Sequence, residues 1–254
     1  VSSSRNVTVI SILRDGDSAR VGSVTTSGVA REDLSAVVDA SEAAARSAEP
    51  ASDAMPLIVG DGSPADWDDP STTTEIGVFT PLTADLASGF AGSDTLYGFA
   101  HHQVDTVWLA SSTGVRRRFT QPTGSIEING KRSGASTWVG AGTRDFTDVE
   151  IPALLAELST RLDWAGSRVE LPAGRYETLL PPSTVADLLI YLAWTMEGRG
   201  AQEGHTALSR AGGTRVGEKL TDLPLTLFSD PQADGLQCAP FVVAGASSEA
   251  ISVF

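Results

Sequence analysis

The chain has 254 residues, 41% of them hydrophobic, enough for a sizeable core in one large domain or two modest ones. Its 18 basic and 32 acidic side chains give a formal net charge of −14, which argues against a nucleic-acid backbone or an anionic membrane surface as partner. A single cysteine, Cys238, excludes an intrachain disulfide and favours a reducing compartment, and with three histidines it leaves few soft metal ligands. No apolar run reaches 18 residues, so no membrane span is predicted, and the first residues carry no charged-then-apolar leader. Both ends are strand-like runs, so the chain reads as truncated at both ends, part of a longer polypeptide.

Residues 6–13, NVTVISIL, form a β-branched run. The turn Asp15-Gly16-Asp17 follows, then SARVGSVTT, which predicts an antiparallel hairpin. In residues 31–48, Leu34, Val37, Val38, Ala44 and Ala45 fall near helical spacing behind an acidic first turn. This predicts an amphipathic helix lying on the hairpin. Residues 49–75 are rich in Pro, Asp, Ser and Gly and read as a long loop, with MPLIVG as a short buried piece. The acidic group Asp66, Asp68 and Asp69 lacks the spacing and closing glutamate of a calcium loop and reads as solvated.

From 95 to 140 the texture is that of a meander: LYGFAHH, DTVWLASS, GVRRRFTQ, SIEIN and ASTWVG. Thr113-Gly114, Thr123-Gly124 and Asn129-Gly130 separate these runs, and the last pair is the strongest tight-turn signal in the chain. Residues 149–165 place Leu154, Leu155, Leu158 and Leu162 on one helical stripe. VELPAGRYETLLPP then reads as a linker and strand, with a domain boundary near Leu171. Residues 183–199, STVADLLIYLAWTMEGR, predict an apolar helix capped by Ser183, with Leu188, Leu189, Leu192 and Met196 as its buried face. The remainder alternates short strands with turns. The predicted class is α+β: residues 1–171 form an antiparallel sheet with packed helices, and residues 172–254 begin a β-rich domain.

No constellation of residues is catalytic by itself. His101 and His102 are adjacent on a strand, so they point to opposite faces and cannot chelate one metal well. Arg116, Arg117 and Arg118 sit in an acidic chain and read as partners of local carboxylates or of a protein contact. Cys238 has no supporting pattern and reads as a small buried residue. The glycines of 203–217 lack nucleotide-loop spacing.

The segment from Gly174 to Pro240, including GRYETLLPPSTVADLLIYLAWTMEG, GHTALSRAGG and LPLTLFSDP, resembles the start of the C-terminal domain of the TldD/PmbA family. DTVWLASSTGVRRRFTQPTGSIEING resembles that family's N-terminal meander, in texture nearest to actinobacterial TldE-like proteins. In the catalytic TldD type the helix carries HExxxH, whose histidines bind Zn²⁺ and whose glutamate is the general base. Aligned on Thr206 to Leu208, Leu189 and Trp194 replace the histidines, Ile190 replaces the base, and a later glutamate is kept as Glu197. The resemblance therefore implies no catalytic residue and no metal in this chain. It implies a non-catalytic TldE/PmbA-like subunit whose TldD-like partner holds the zinc, in a cytoplasmic dimer. The implied substrates are small or unfolded peptides, bound by strand addition, with Glu197, His205 and Thr206 as candidate contacts. Two other readings stay open. One is a divergent homodimeric peptidase using Glu197 and His205; the other is a binding module of the gyrase-modulator type, without direct contact to nucleic acid or membrane.

Overall fold

The computed structural model describes residues 1–51, 56–60, 62–230 and 233, and the backbone of 251–252. Strands β1 (Asn6–Asp15) and β2 (Ser18–Ser27) pair antiparallel along their full length, closed by Gly16 at φ +59°. A 3-10 turn over Arg31–Asp33 leads into helix α1 (Leu34–Ser47). Val37, Ser41 and Ala45, spaced four apart on one helical face, are buried on the hairpin. The approach is close because Gly22 has no side chain: a Cβ there would collide with the Ser41 carbonyl oxygen and the Ala45 amide nitrogen. The fully buried Ser41 hydroxyl is satisfied by Ser11, 2.5 Å away.

The loop expected over 49–75 is observed, but its apolar stretch is not buried. Leu57, Ile58 and Val59 are exposed, and Met55 lies outside the described residues. The main chain is what is held there, through Gly60 N–H to the Thr113 carbonyl (3.0 Å) and the Thr113 hydroxyl to the Ile58 carbonyl (2.6 Å). The sequence reading assigned nothing to residues 76–94. They form a 3-10 helix over Ile76–Leu82 and helix α2 (Thr83–Phe90).

The five-run meander is instead a sheet of three long strands, β3 (Thr95–Ala110), β4 (Arg116–Arg132) and β5 (Ala135–Thr143), in the order β3-β4-β5. Thr123-Gly124 and Asn129-Gly130 are not turns; both lie inside β4. Their glycines serve close packing. A Cβ on Gly124 would meet the Phe146 ring at 3.1 Å, and one on Gly130 would meet Leu158 Cδ2 at 3.0 Å and Leu162 Cδ1 at 3.1 Å. The tight turn is Ser133-Gly134, with φ of +48° and +83°, as a two-residue hairpin of mirror-image type requires.

Helix α3 (Ile151–Ala165) lies on the inner face of this sheet and buries Ile151, Leu158 and Leu162, with Leu154 and Leu155 partly buried at the margin. These leucines join Leu82, Ile126, Ile128, Val139 and Phe146 in the main core. Arg132, at the end of β4, clasps the assembly from its rim. Its Nε and Nη2 donate to the two carboxylate oxygens of Asp94 (2.7 and 2.6 Å), and its Nη1 donates to Asp163 on α3 (2.6 Å).

Residues 166–181 contain no strand, contrary to expectation. Helix α4 (Pro182–Trp194) begins at a proline pair, so Pro181 rather than Ser183 is its N-cap, proline being pre-set for a first helical turn. It stops at Trp194, earlier than predicted, where the Thr195 hydroxyl bonds the Leu192 carbonyl at 2.8 Å. No residue of α4 is buried, so the expected buried face is not found among the described residues; Leu188 is 57% exposed. Helix α5 (Gly198–Gln202) follows, then the two-residue strand pairs β6–β7 (Ser209–Arg210 with Gly213–Thr214) and β8–β9 (Phe228–Ser229 with Ile251–Ser252). Cys238 falls outside the described residues. The architecture is α+β, and among the described residues no helix is long and apolar enough to cross a membrane.

Candidate functional site

Three regions are candidates for a functional site. The first is α4. A stretch rich in leucine and lacking an interior glycine or proline forms a helix readily, yet this helix packs no side chain fully away from water. Leu189 and Leu192 are half-buried, while Ile190, Tyr191 and Trp194 are exposed, the last two in an edge-on contact with ring centroids 5.3 Å apart. Leu189 and Ile190 offer no lone pair, and the indole N–H of Trp194 only donates, so the donor set of this helix does not fit zinc. Among the described residues no three His, Cys, Asp or Glu side chains converge on one point.

The second region is the turn of α5. Glu197 is not on α4 but is the N-cap of α5, where its carbonyl accepts from Ala201 N–H at 3.0 Å. The His205 N–H donates to the Gly200 carbonyl at 2.8 Å, and the Thr206 methyl packs over Gly200 at 3.3 Å from where a Cβ would stand. Glu197, His205 and Thr206 are thus gathered around Gly200, whose small size permits the approach. Their side chains do not converge. His205 is exposed and leans to Glu203, with Nδ1 3.6 Å from its carboxylate, and Thr206 Oγ1 accepts from Leu208 N–H at 3.2 Å.

The third region is a cleft of about 940 Å³ between the extended residues 72–75 and the turn 142–148, which sequence reasoning missed. His102 forms its floor. Its Nε2–H donates to the Arg144 carbonyl (2.7 Å), leaving Nδ1 to accept from the Thr74 hydroxyl (2.6 Å) in the neutral ring. His101 points to the opposite, exposed face, as strand alternation requires. The Thr147 hydroxyl and amide both donate to Asp145 and hold its carboxyl below the usual range, with Arg144 adding to the effect. The cleft mixes hydroxyls, one imidazole and carboxylates, and the Thr74 hydroxyl meets the His102 imidazole within it. Only the adjacent histidines signalled it in sequence.

Arg116 and Arg118 of the triplet hold the 62–70 loop in place. Arg118 pairs with Asp66 at 2.9 Å and lies over Trp108, and Arg116 lies over Trp67. Asp68 and Asp69 stay exposed, as read.

The PmbA/TldA metallopeptidase C-terminal domain family matches residues 173–254. No curated protein matches the sequence. Among solved structures, the chain is similar to the crystal structure of TldE from Thermococcus kodakarensis, with a TM-score of 0.64 and 15% identity. That match covers 99% of this chain, which spans 62% of the length of the solved one. At such identity the likeness is one of fold.

Proposed function

We propose that this chain is a member of the TldD/PmbA metallopeptidase family, and within it a non-catalytic, TldE-like subunit of a heterodimeric zinc peptidase; the match of residues 173–254 to the family's C-terminal domain and the TldE-like fold support this. One observation carries the reading. Aligned on Thr206 to Leu208, the helix that would hold the metal in a catalytic subunit has Leu189, Ile190 and Trp194 where the ligands and base would fall. None of the three can ligate a metal or move a proton. What the helix offers instead is exposed apolar surface, suited to burial against a neighbouring element or subunit rather than to water.

In this reading the TldD-like partner supplies the zinc and the general base, and this chain shapes one wall of the chamber. Glu197, His205 and Thr206, gathered around Gly200, are proposed to face the peptide. A small or unfolded peptide would bind in extended form, since main-chain hydrogen bonds demand little of its sequence. The reducing setting implied by a lone cysteine fits a cytoplasmic enzyme.

Co-expression with a TldD-type subunit carrying intact HExxxH tests the proposal. Co-purification of the two chains, with peptide cleavage by the pair and none by this chain alone, is the expected result. Cleavage by this chain alone that survives chelation and is lost on substituting Glu197 or His205 would replace it with the homodimeric reading.

A further inference from the structure

Among the described residues, no helix or strand packs on the outer face of the β3-β4-β5 sheet, opposite α3. Strand alternation sends the even residues of β3 and β4 and the odd residues of β5 into the core. Register then fixes what meets on the outer face. Phe99 opposes Glu127, which opposes Gly140. Directly opposed side chains on neighbouring strands stand about 5 Å apart at Cβ. Because Gly140 has no side chain, the indole of Trp138 folds over it, its Cζ3 3.3 Å from where a Cβ would be. Glu127 therefore lies between a phenyl ring and an indole, 60% and 50% exposed, on a surface open to solvent.

The carboxylate is hydrogen-bonded but not neutralised. Asn129 Nδ2 donates to its Oε1 at 2.8 Å, which engages one of the two carboxylate oxygens. Among the described residues no lysine or arginine pairs with Glu127. The next rung already holds a cation on an aromatic ring, with Lys131 Nζ 5.3 Å from the centroid of Tyr97. A carboxylate flanked by two exposed aromatic faces fits a guanidinium better than an ammonium. The planar group stacks on the rings and gives two parallel N–H donors to one carboxylate. Residues 231–254 contain no lysine or arginine, so that part of the chain cannot provide the cation.

We propose that this face is a docking site for an arginine-bearing segment of a partner polypeptide, with the guanidinium seated on Glu127 between Phe99 and Trp138. The site lies on the N-terminal sheet and does not depend on the peptidase-subunit reading.

Titration of the full chain with Ac-Gly-Arg-Gly-NH2, followed by the Trp138 indole N–H in ¹⁵N NMR and assigned with Trp138→Phe, tests it. A saturable shift is expected with the arginine peptide, a weaker one with its lysine analogue, and none with its glutamine analogue. Glu127→Gln should weaken binding about fivefold, the order expected for one exposed charge-assisted contact. Phe99→Leu, which keeps the charge, should weaken it less, and Glu49→Gln should leave it unchanged. Equal binding by wild type and Glu127→Gln, or an equal loss in Glu49→Gln, would overturn the proposal. So would equal shifts with the glutamine peptide, while equal binding of the lysine peptide would overturn the choice of arginine.

Discussion

Replacing Gly130 with alanine tests whether that glycine serves packing or a turn. The added Cβ would lie 3.0 and 3.2 Å from Leu158 Cδ2 and Cγ, and 3.1 Å from Leu162 Cδ1. Carbon atoms in a core settle about 3.5–4.0 Å apart, so each contact is too short by roughly half an ångström. Neither leucine has a free side to retreat to, at 2% and 1% exposure. Pushing two packed leucines off their rotamers costs roughly 1–3 kcal/mol together. Burying one methyl and stiffening the unfolded chain offset about 1 kcal/mol of that. The net expectation is a loss of about 1–2 kcal/mol, or about 2–8 °C in Tm for a chain of this size. Leu158→Ala alone should cost about 3 kcal/mol through its cavity. In the double variant the new methyl occupies part of that cavity, so the combined loss should fall short of the sum by about 1 kcal/mol. Urea unfolding of the four proteins at one pH gives the cycle. Additivity within about 0.5 kcal/mol would refute the packing role, because a turn glycine has no reason to couple to Leu158.

Gly134→Ala should cost about 1–2 kcal/mol, since φ is +83° there, whereas Ser133→Asn at φ +48° should hold or slightly raise stability; thermal melts of both variants check this. The hydrogen bonds from Arg132 hold the Asp94 carboxyl below its ordinary value of 3.8. A depressed folded-state pKa gives stability that is full above the unfolded value and is lost as pH falls through the folded one. Asp94→Asn should therefore lower the urea midpoint near pH 7 and flatten the fall in stability below about pH 4, and an unchanged acid limb would contradict the clasp.

The hairpin over residues 6–27 and the two long helices α1 and α3 were legible because each is written in local sequence, as a β-branched run before a turn or as apolar residues at helical spacing. The meander was misread because glycine has two uses that look alike in sequence. Gly124 and Gly130 permit close approach, while Gly134 supplies a positive φ behind a serine, a weaker signal than the Asn-Gly pair four residues earlier. The segment 76–90 went unread because a proline, Pro81, breaks a short pattern into a 3-10 helix and a two-turn α-helix. On α4 the apolar composition was plain, but burial depends on what packs against a helix, which its own sequence does not specify. The Phe99–Glu127–Gly140 row exists only in the register closed by Ser133-Gly134; a turn at Asn129-Gly130 would have scattered those residues. The cleft at His102 needs Thr74 and Arg144, which are distant in sequence and carry no shared signal.

The most direct measurement of the central claim is zinc content and peptide cleavage for this chain and a TldD-type partner, purified separately and together. The account predicts substoichiometric zinc and no cleavage for this chain alone. It predicts about one zinc per heterodimer, with activity that is lost on mutating the partner's HExxxH and kept on substituting Trp194. Stoichiometric zinc in the isolated chain, or cleavage that persists when the partner's motif is destroyed, would contradict it.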